Sequence, residues 1–149
     1  MTVRVQSEDF DLGHEVAELT RNTYAIGAVV SFTGLVRDTT GGELLSMELE
    51  YYPGMTEQAL AVIDMEASKR WSLAGSMVIH RYGDLKTGEQ IMMVATASAH
   101  RKDAFEAAAF LMDYLKTDAP FWKKEHLKSG SQWVESKISD EDAKDRWKI

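Results

Sequence analysis

The change of hydrophobic period around residue 53 constrains the fold of this chain more than any other feature. Residues 44–52 alternate between an apolar and a polar face: Leu45, Met47, Leu49 and Tyr51 against Ser46, Glu48 and Glu50. This alternation is typical of a half-buried strand in an antiparallel sheet. Pro53 and Gly54 end the strand. Residues 56–71 then carry apolar side chains at helical spacing, namely Leu60, Ile63, Ala67 and Trp71.

The rest of the chain predicts further strands and helices within one domain, residues 1–149. We expect strands at residues 3–5, 25–36, 77–82, 90–98 and 132–138, the second of them buried, and helices at residues 11–19 and 101–116. Gly83-Asp84 and Thr87-Gly88 indicate a tight connection. Pro120 ends the last of these helices, residues 121–125 favour a short helical turn, and residues 139–149 suggest a helix or a loose tail. This order predicts an α+β fold with a mainly antiparallel sheet.

The composition excludes several classes of protein. The formal net charge of −7 over 149 residues argues against nucleic acid and anionic membranes as partners. No apolar run is long enough to cross a bilayer, and residues 1–10 lack the basic-then-apolar order of a signal peptide, so we expect a cytoplasmic protein. The chain has no cysteine, which excludes disulfides, cysteine nucleophiles and thiolate metal sites. Any sulfur that this protein transfers must therefore come from a partner or a substrate.

Cationic residues stand at the ends of predicted elements, where loops often carry function. Arg37 follows a strand, and His100 and Arg101 begin a helix. A helix N-terminus presents free N–H groups and a partial positive charge, so His100 and Arg101 are candidates for an anion site. A solvated arginine beside a half-buried histidine explains the same two residues on local grounds, and both interpretations stay open.

Lys116 and Lys123 flank the break at Pro120, and the turn between them could bring their amines together. Two close, partly desolvated ammonium groups lower each other's pKa, which would suit a general base or a nucleophile. The ordinary alternatives are a lysine that complements the helix dipole, at Lys116, and a solvated surface pair, at Lys123 and Lys124. Local physics does not choose between them.

The other polar residues give weaker signals. His80 and Arg81 lie in a predicted strand and are interpreted as a structural residue and an edge charge. Phe121 and Trp122 form an adjacent aromatic pair that favours packing over ligand stacking. No spacing of His, Asp and Glu resembles a metal site, and no phosphate-binding glycine loop occurs.

These segments, in order from Ala28 onwards, resemble the large subunit of molybdopterin synthase. The matching motifs are Phe32-Thr33-Gly34 with Val36-Arg37, residues 50–59 (EYYPGMTEQA), Ile79-His80-Arg81 followed by Gly83, residues 98–101 (SAHR), Ala104-Phe105-Glu106, residues 112–125 (MDYLKTDAPFWKKE) and Trp133-Val134-Glu135. The resemblance implies an α/β hammerhead fold with an additional, mainly antiparallel sheet. Two positions depart from the family pattern: Leu35 stands where a basic residue is common, and Asp118 occupies a position that can be basic.

The resemblance also implies an activity in molybdenum cofactor biosynthesis. Such an enzyme transfers sulfur from the C-terminal thiocarboxylate of a small ubiquitin-like subunit, which ends in Gly-Gly, to cyclic pyranopterin monophosphate. The product carries the dithiolene of molybdopterin, and no further cofactor is implied. The large subunit would form a homodimer at the centre of a heterotetramer.

Transferred position by position, the family pattern assigns the site. Lys116 and Lys123 would be the catalytic lysines, and the substrate would be bound by Arg37, His100, Arg101, Lys124 and Glu125. The competing hypothesis is a non-catalytic dimeric module that binds a ubiquitin-like partner or a phosphorylated ligand without turnover.

Overall fold

A computed structural model describes residues 2–134 and 138–148 of the chain. Its elements are β1 (Thr2–Gln6), α1 (Leu12–Thr20), β2 (Ala28–Leu35), β3 (Leu44–Tyr51), α2 (Met55–Arg70), β4 (Gly75–Arg81), β5 (Gly83–Lys86), β6 (Gln90–Ser98), α3 (Arg101–Leu115), β7 (Phe121–Leu127), β8 (Gly130–Val134) and α4 (Ile138–Asp145). No helix in the described ranges is long and apolar enough to cross a membrane.

The strands form two four-stranded sheets. The first sheet has the order β1-β4-β6-β2, and the second has the order β5-β3-β7-β8. Among the described strands only the β1–β4 pair is parallel, and the other pairs are antiparallel. The predicted α+β class with mainly antiparallel pairing is therefore confirmed.

Helices cover both faces of the first sheet. On one face α2 and α3 enclose an apolar cluster that includes Leu60, Val78, Val94, Phe110 and Leu111. On the other face Leu12, Val16 and Leu19 of α1 pack against Met77, Ile79, Met93 and Ala95. Successive residues of β4 and β6 thus enter different clusters, which explains why these strands are apolar on both faces.

The chain passes from the first sheet to the second at Gly83, where φ is +98° and a side chain would be strained. β5 then pairs with β3, and a smaller cluster of Val36, Leu44, Leu49 and Leu85 fills the space beneath the second sheet. The turn signals at Gly83-Asp84 and Thr87-Gly88 predicted only a tight connection, so β5 was missed. A four-residue strand carries too short a pattern to be recognised without its partner.

The prediction that residues 25–36 form a buried strand is wrong about burial. β2 occupies these residues, but it is an edge strand, with β6 as its only neighbour among the described strands. Val29, Phe32 and Leu35 are 37%, 43% and 55% exposed. Leu45 is also 53% exposed, because the register between β3 and β7 shifts between Leu44 and Ser46 and the alternation slips there.

The predicted helical turn at residues 121–125 is also wrong. β7 (Phe121–Leu127) pairs with β3 over the whole predicted segment. Pro120 has no N–H to donate to a strand ladder, which fits its position just before the first residue of β7. Of the predicted strand at 132–138, residues 132–134 belong to β8 and residues 135–137 lie outside the described residues.

The charged C-terminal segment folds back as α4 and is anchored beyond it by Trp147. The indole Nε1 of Trp147 donates a hydrogen bond to Asp113 at 2.6 Å, and its ring packs against Trp71 and Phe110. Lys144 forms an ion pair with Asp118 at 2.9 Å. These contacts attach the segment to α3 and to the turn that follows α3.

Candidate active site

A cavity of about 770 Å³ lies where the two sheets meet, at the C-terminal end of α3. The first sheet contributes the end of β2, His80 of β4 and the start of β6, and the second contributes Met47 of β3, residues of β7 and Val134 of β8. Much of the wall is apolar, including Phe32, Leu35, Ile91, Met92 and Met112.

Three cationic side chains enter this cavity from different elements. Arg37 follows β2, Lys116 is the C-cap residue of α3, and Lys123 lies on β7. Glu125 is the one carboxylate among the described lining residues. A chain with a net charge of −7 therefore concentrates positive charge at this cavity, as an anion-binding site requires.

The turn between the two lysines is held by hydrogen bonds. The N–H of Asp118 donates to the carbonyl of Tyr114 at 2.7 Å, which continues the last turn of α3. The buried Thr56 hydroxyl donates to the carbonyl of Pro120 at 3.1 Å and accepts from the N–H of Tyr52 at 3.1 Å. The start of α2 thereby fixes the point at which the chain turns into β7. Lys116 and Lys123 both line the cavity, so this turn brings the two lysines to one place in the fold.

His80 lines the same cavity and was interpreted from sequence only as structural. Its ring stacks on Phe121 with centroids 3.7 Å apart, and its Nδ1 lies 2.8 Å from the carbonyl oxygen of Arg81. Burial first, and the positive charges of Lys123 and Lys116 after it, lower the pKa of His80 to about 3. The imidazole is therefore neutral at physiological pH. The signal that could have found it is its position near the end of a central strand, within the family motif Ile79-His80-Arg81.

Arg81 is not the edge charge that the sequence suggested. It is 7% exposed, and its guanidinium donates to the carbonyls of Ser7 and Gln90 at 3.1 Å and 2.9 Å. Asp9 and Glu89 lie 3.8 Å and 3.5 Å from it. These bonds tie the end of β4 to the segment after β1, so Arg81 supports the strand that presents His80.

Lys124 does not line the cavity with its neighbours. Successive residues of a strand point to opposite faces, so Lys124 lies on the face of β7 opposite Lys123 and Glu125. Its ammonium group is 5.3 Å from the ring centroid of Trp133, with which it is in register on β8. Glu125 accepts a hydrogen bond from Gln132 at 3.3 Å.

His100 and Arg101 lie at the other end of α3. Both are exposed, and His100 is the N-cap residue but forms no side-chain cap bond. The helix has 15 residues, about 22 Å at 1.5 Å per residue, which separates them from Lys116. Within one chain the structure does not bring them to the cavity. The described residues hold no group of three or more His, Asp or Glu side chains that could bind a metal.

Comparison with known proteins gives one consistent result. A family model described as MoaE protein matches residues 5–118. A molybdopterin synthase catalytic subunit from Mesorhizobium japonicum is 56% identical over 149 residues, which cover 99% of this chain and 93% of that protein. The structure of molybdopterin cofactor biosynthesis protein E from Burkholderia multivorans is 51% identical, with a TM-score of 0.85 over 99% of this chain and 97% of the other.

A more distant structure shares the fold alone. It is a complex of subunits 1 and 2 of molybdopterin-converting factor from Helicobacter pylori, and the matched chain is 17% identical. The TM-score is 0.76, and the match covers 91% of each chain.

Proposed function

This chain belongs to the MoaE protein family, and we propose that it is the catalytic subunit of a molybdopterin synthase, with its active site in the cavity that Arg37, Lys116 and Lys123 share. The proposed reaction transfers sulfur from the C-terminal thiocarboxylate of a small ubiquitin-like subunit to cyclic pyranopterin monophosphate. The observation that carries this proposal is the meeting of three cations from three elements in one largely apolar cavity.

The walls of the cavity suit the two parts of this substrate. A flat pterin ring can pack against apolar side chains such as Phe32 and Met112. The cyclic phosphate needs cationic donors, and a guanidinium binds phosphate oxygens in a bidentate manner, a role that we assign to Arg37.

The lysines suit the chemistry of the transfer. In each transfer the thiocarboxylate sulfur bonds to a carbon of the pterin side chain, which loses an oxygen leaving group. Water then cleaves the acyl–sulfur bond and leaves a carboxylate on the tail of the small subunit. We assign Lys116 to the carbonyl oxygen of that tail, where an ammonium group can stabilise developing negative charge. We assign Lys123 to the substrate, where it holds a leaving oxygen or supplies a proton. The apolar side chains of the cavity and Glu125 carry no positive charge, so they cannot replace either lysine.

His100 and Arg101 belong to this proposal only if a second copy of the chain supplies them. The register of β2 with β6 pairs Ala28 with Ser98 at one end and Leu35 with Gln90 at the other. A two-fold axis beside the exposed edge of β2 would put the start of one β2, near His100, against the end of the other, near Arg37. The exposed apolar residues of that edge support such a homodimer.

The partner follows from the same chemistry. The name "catalytic subunit" of the Mesorhizobium japonicum relative implies a second kind of subunit, and the Helicobacter pylori structure is a complex of two subunits. Because this chain has no cysteine, the sulfur must be carried by another molecule. We propose a heterotetramer of two such chains and two small subunits, acting in the cytoplasm.

Reconstitution of the reaction separates this proposal from a module that only binds. The purified chain is mixed with a thiocarboxylated small subunit and cyclic pyranopterin monophosphate, and the dithiolene product is assayed. We expect product from the wild-type chain and a loss of about a hundredfold or more in Lys116→Ala. Lys69→Ala, an exposed lysine on α2, is the matched control. Binding of both partners without any product would support the non-catalytic module instead.

A further inference from the structure

We propose that His80 is a positioning residue, whose neutral imidazole accepts a hydrogen bond through Nε2 from the ammonium group of Lys123 and holds that group at the wall of the cavity. The hydrogen bond is argued from the surroundings of His80 and Lys123 and does not depend on the reaction. Its effect on the rate rests on the function proposed above.

The hydrogen-bonding pattern of His80 determines its tautomer. Its Nδ1 lies 2.8 Å from the carbonyl oxygen of Arg81, which can only accept a hydrogen bond. Nδ1 therefore carries the proton, and in the neutral ring Nε2 has a lone pair. A buried acceptor is costly unless a donor faces it. His80 is 6% exposed, so a donor within the site would spare its Nε2 this cost.

Strand geometry brings Lys123 next to this ring. Phe121 stacks on the imidazole with an interplanar angle of 18°, and Lys123 is two residues further along β7, on the same face. The charge of Lys123 also acts on His80 more strongly than that of Lys116. Lys123 is therefore the donor on the strand that contacts the ring.

The orientation of the ring is fixed from behind by aromatic packing. Tyr82 packs on Tyr51 at 4.5 Å, Tyr51 faces Phe121 at 6.5 Å, and Phe121 stacks on His80 at 3.7 Å, all between ring centroids. This row of rings extends from the edge of the second sheet to the cavity. It holds the imidazole in one orientation, so Nε2 is a fixed acceptor and the ring does not rotate when the side chain of Lys123 moves.

The charges around the pair favour this arrangement. The charged groups among the described residues of this cavity are Lys123 and Glu125 on β7, Lys116 at the end of α3, and Arg37 after β2. Three of the four are cations, and their charges oppose protonation of His80. The imidazole thus stays an acceptor while the lysines are protonated, and it orders Lys123 without neutralising it.

Two variants separate the hydrogen bond from packing. His80→Phe keeps a ring that can stack on Phe121 but has no acceptor, whereas His80→Gln offers an amide oxygen near the position of Nε2. In the wild-type chain we expect ¹⁵N NMR to detect the Nδ1–H tautomer. In a titration of labelled lysine side chains, the pKa of Lys123 should be lower in His80→Phe than in the wild type and largely restored in His80→Gln, because the acceptor favours the ammonium form.

The kinetic readout uses the reconstituted synthase. We expect kcat to fall about tenfold to a hundredfold in His80→Phe, with KM for the pterin changed little, and to recover in part in His80→Gln. His14→Gln, an exposed histidine on α1, is the control.

An Nε2–H tautomer in the wild-type chain would overturn the proposal without any variant. An unchanged pKa of Lys123 in a folded His80→Phe would overturn it as well. If that variant does not fold, His80→Gln is compared with His80→Ala, and equal pKa values of Lys123 in these two variants would overturn the proposal. The NMR measurements need no turnover. A wild-type chain that makes no product would therefore sink the proposed function and leave the hydrogen bond to be judged by titration.

Discussion

At the scale of single residues, the cavity is defined by which side chains of β7 point inwards. The sequence showed that Lys116 and Lys123 could approach each other, because a proline break lies between them. It did not separate Lys123 from Lys124, because both were assigned to the site by the family pattern and residues 121–125 were predicted as a helical turn and not as a strand. In the strand they point to opposite faces, and Lys124 packs on Trp133. Its predicted role in substrate binding has no support from this geometry.

The burial of His80 predicts a specific loss of stability in acid. The folded chain holds the pKa of His80 at about 3, against 6.5 for a free histidine. Between these values the unfolded chain binds a proton that the folded chain excludes, so the free energy of unfolding falls as the pH is lowered through this range. At pH 4.5 the free energy of unfolding is lower by about 2.5 kcal/mol than at pH 7.

Urea unfolding at pH 7 and pH 4.5 checks this expectation. Between pH 7 and pH 4.5 the free energy of unfolding of His80→Gln should fall by about 2.5 kcal/mol less than that of the wild type, whatever the stability of the variant at pH 7. The buried Asp64, whose pKa is raised by burial, acts in the opposite direction in both proteins and cancels in the comparison. Equal losses in the two proteins would contradict a neutral, buried His80.

At the scale of elements, the sequence identified most helices and strands but not which strands lie at the edges. Residues 25–36 are rich in Val, Ile, Ala and Phe, and the same composition suits a buried strand or an edge that meets a second copy. Only the sheet order shows that β2 is an edge strand. The strand β7 was missed for a related reason, since its partner β3 lies about 70 residues earlier in the sequence and local patterns do not record such pairings.

The edge of β2 leads to a prediction about mixed dimers. If His100 and Arg101 of one copy complete the cavity of the other, Lys116→Ala and Arg101→Ala inactivate different halves of a site. A mixed dimer of the two variants then contains one intact site and one that lacks both residues. After unfolding and refolding of an equal mixture, we expect about a quarter of wild-type activity, although each variant alone is nearly inactive.

Complementation is measured with the dithiolene assay on refolded single variants and on their mixture. The matched control mixes Lys116→Ala with Lys123→Ala, which lie in the same half-site and should not restore activity. Failure of the first mixture to exceed its components would show that Arg101 does not act across a dimer.

At the scale of the whole molecule, charge and cavity are organised together. The chain carries a net charge of −7, which argued against nucleic acid as a partner, yet the cavity between the sheets is lined by three cations and one carboxylate among the described residues. Composition predicted the negative net charge of the whole chain but not the positively charged lining of this cavity, because the cations come from segments as far apart as Arg37 and Lys123. The family pattern supplied the grouping that composition could not.

The central claim is that sulfur passes from a thiocarboxylate to the pterin at this cavity. Its most direct test is a reconstitution in which the small subunit carries ³⁴S in its thiocarboxylate, with mass spectrometry of the dithiolene product. We predict label in both dithiolene sulfurs with the wild-type chain and with Lys69→Ala. With Lys123→Ala we predict that the rate falls by about a hundredfold or more. Unlabelled product, or labelled product formed by Lys123→Ala as fast as by Lys69→Ala, would contradict this account.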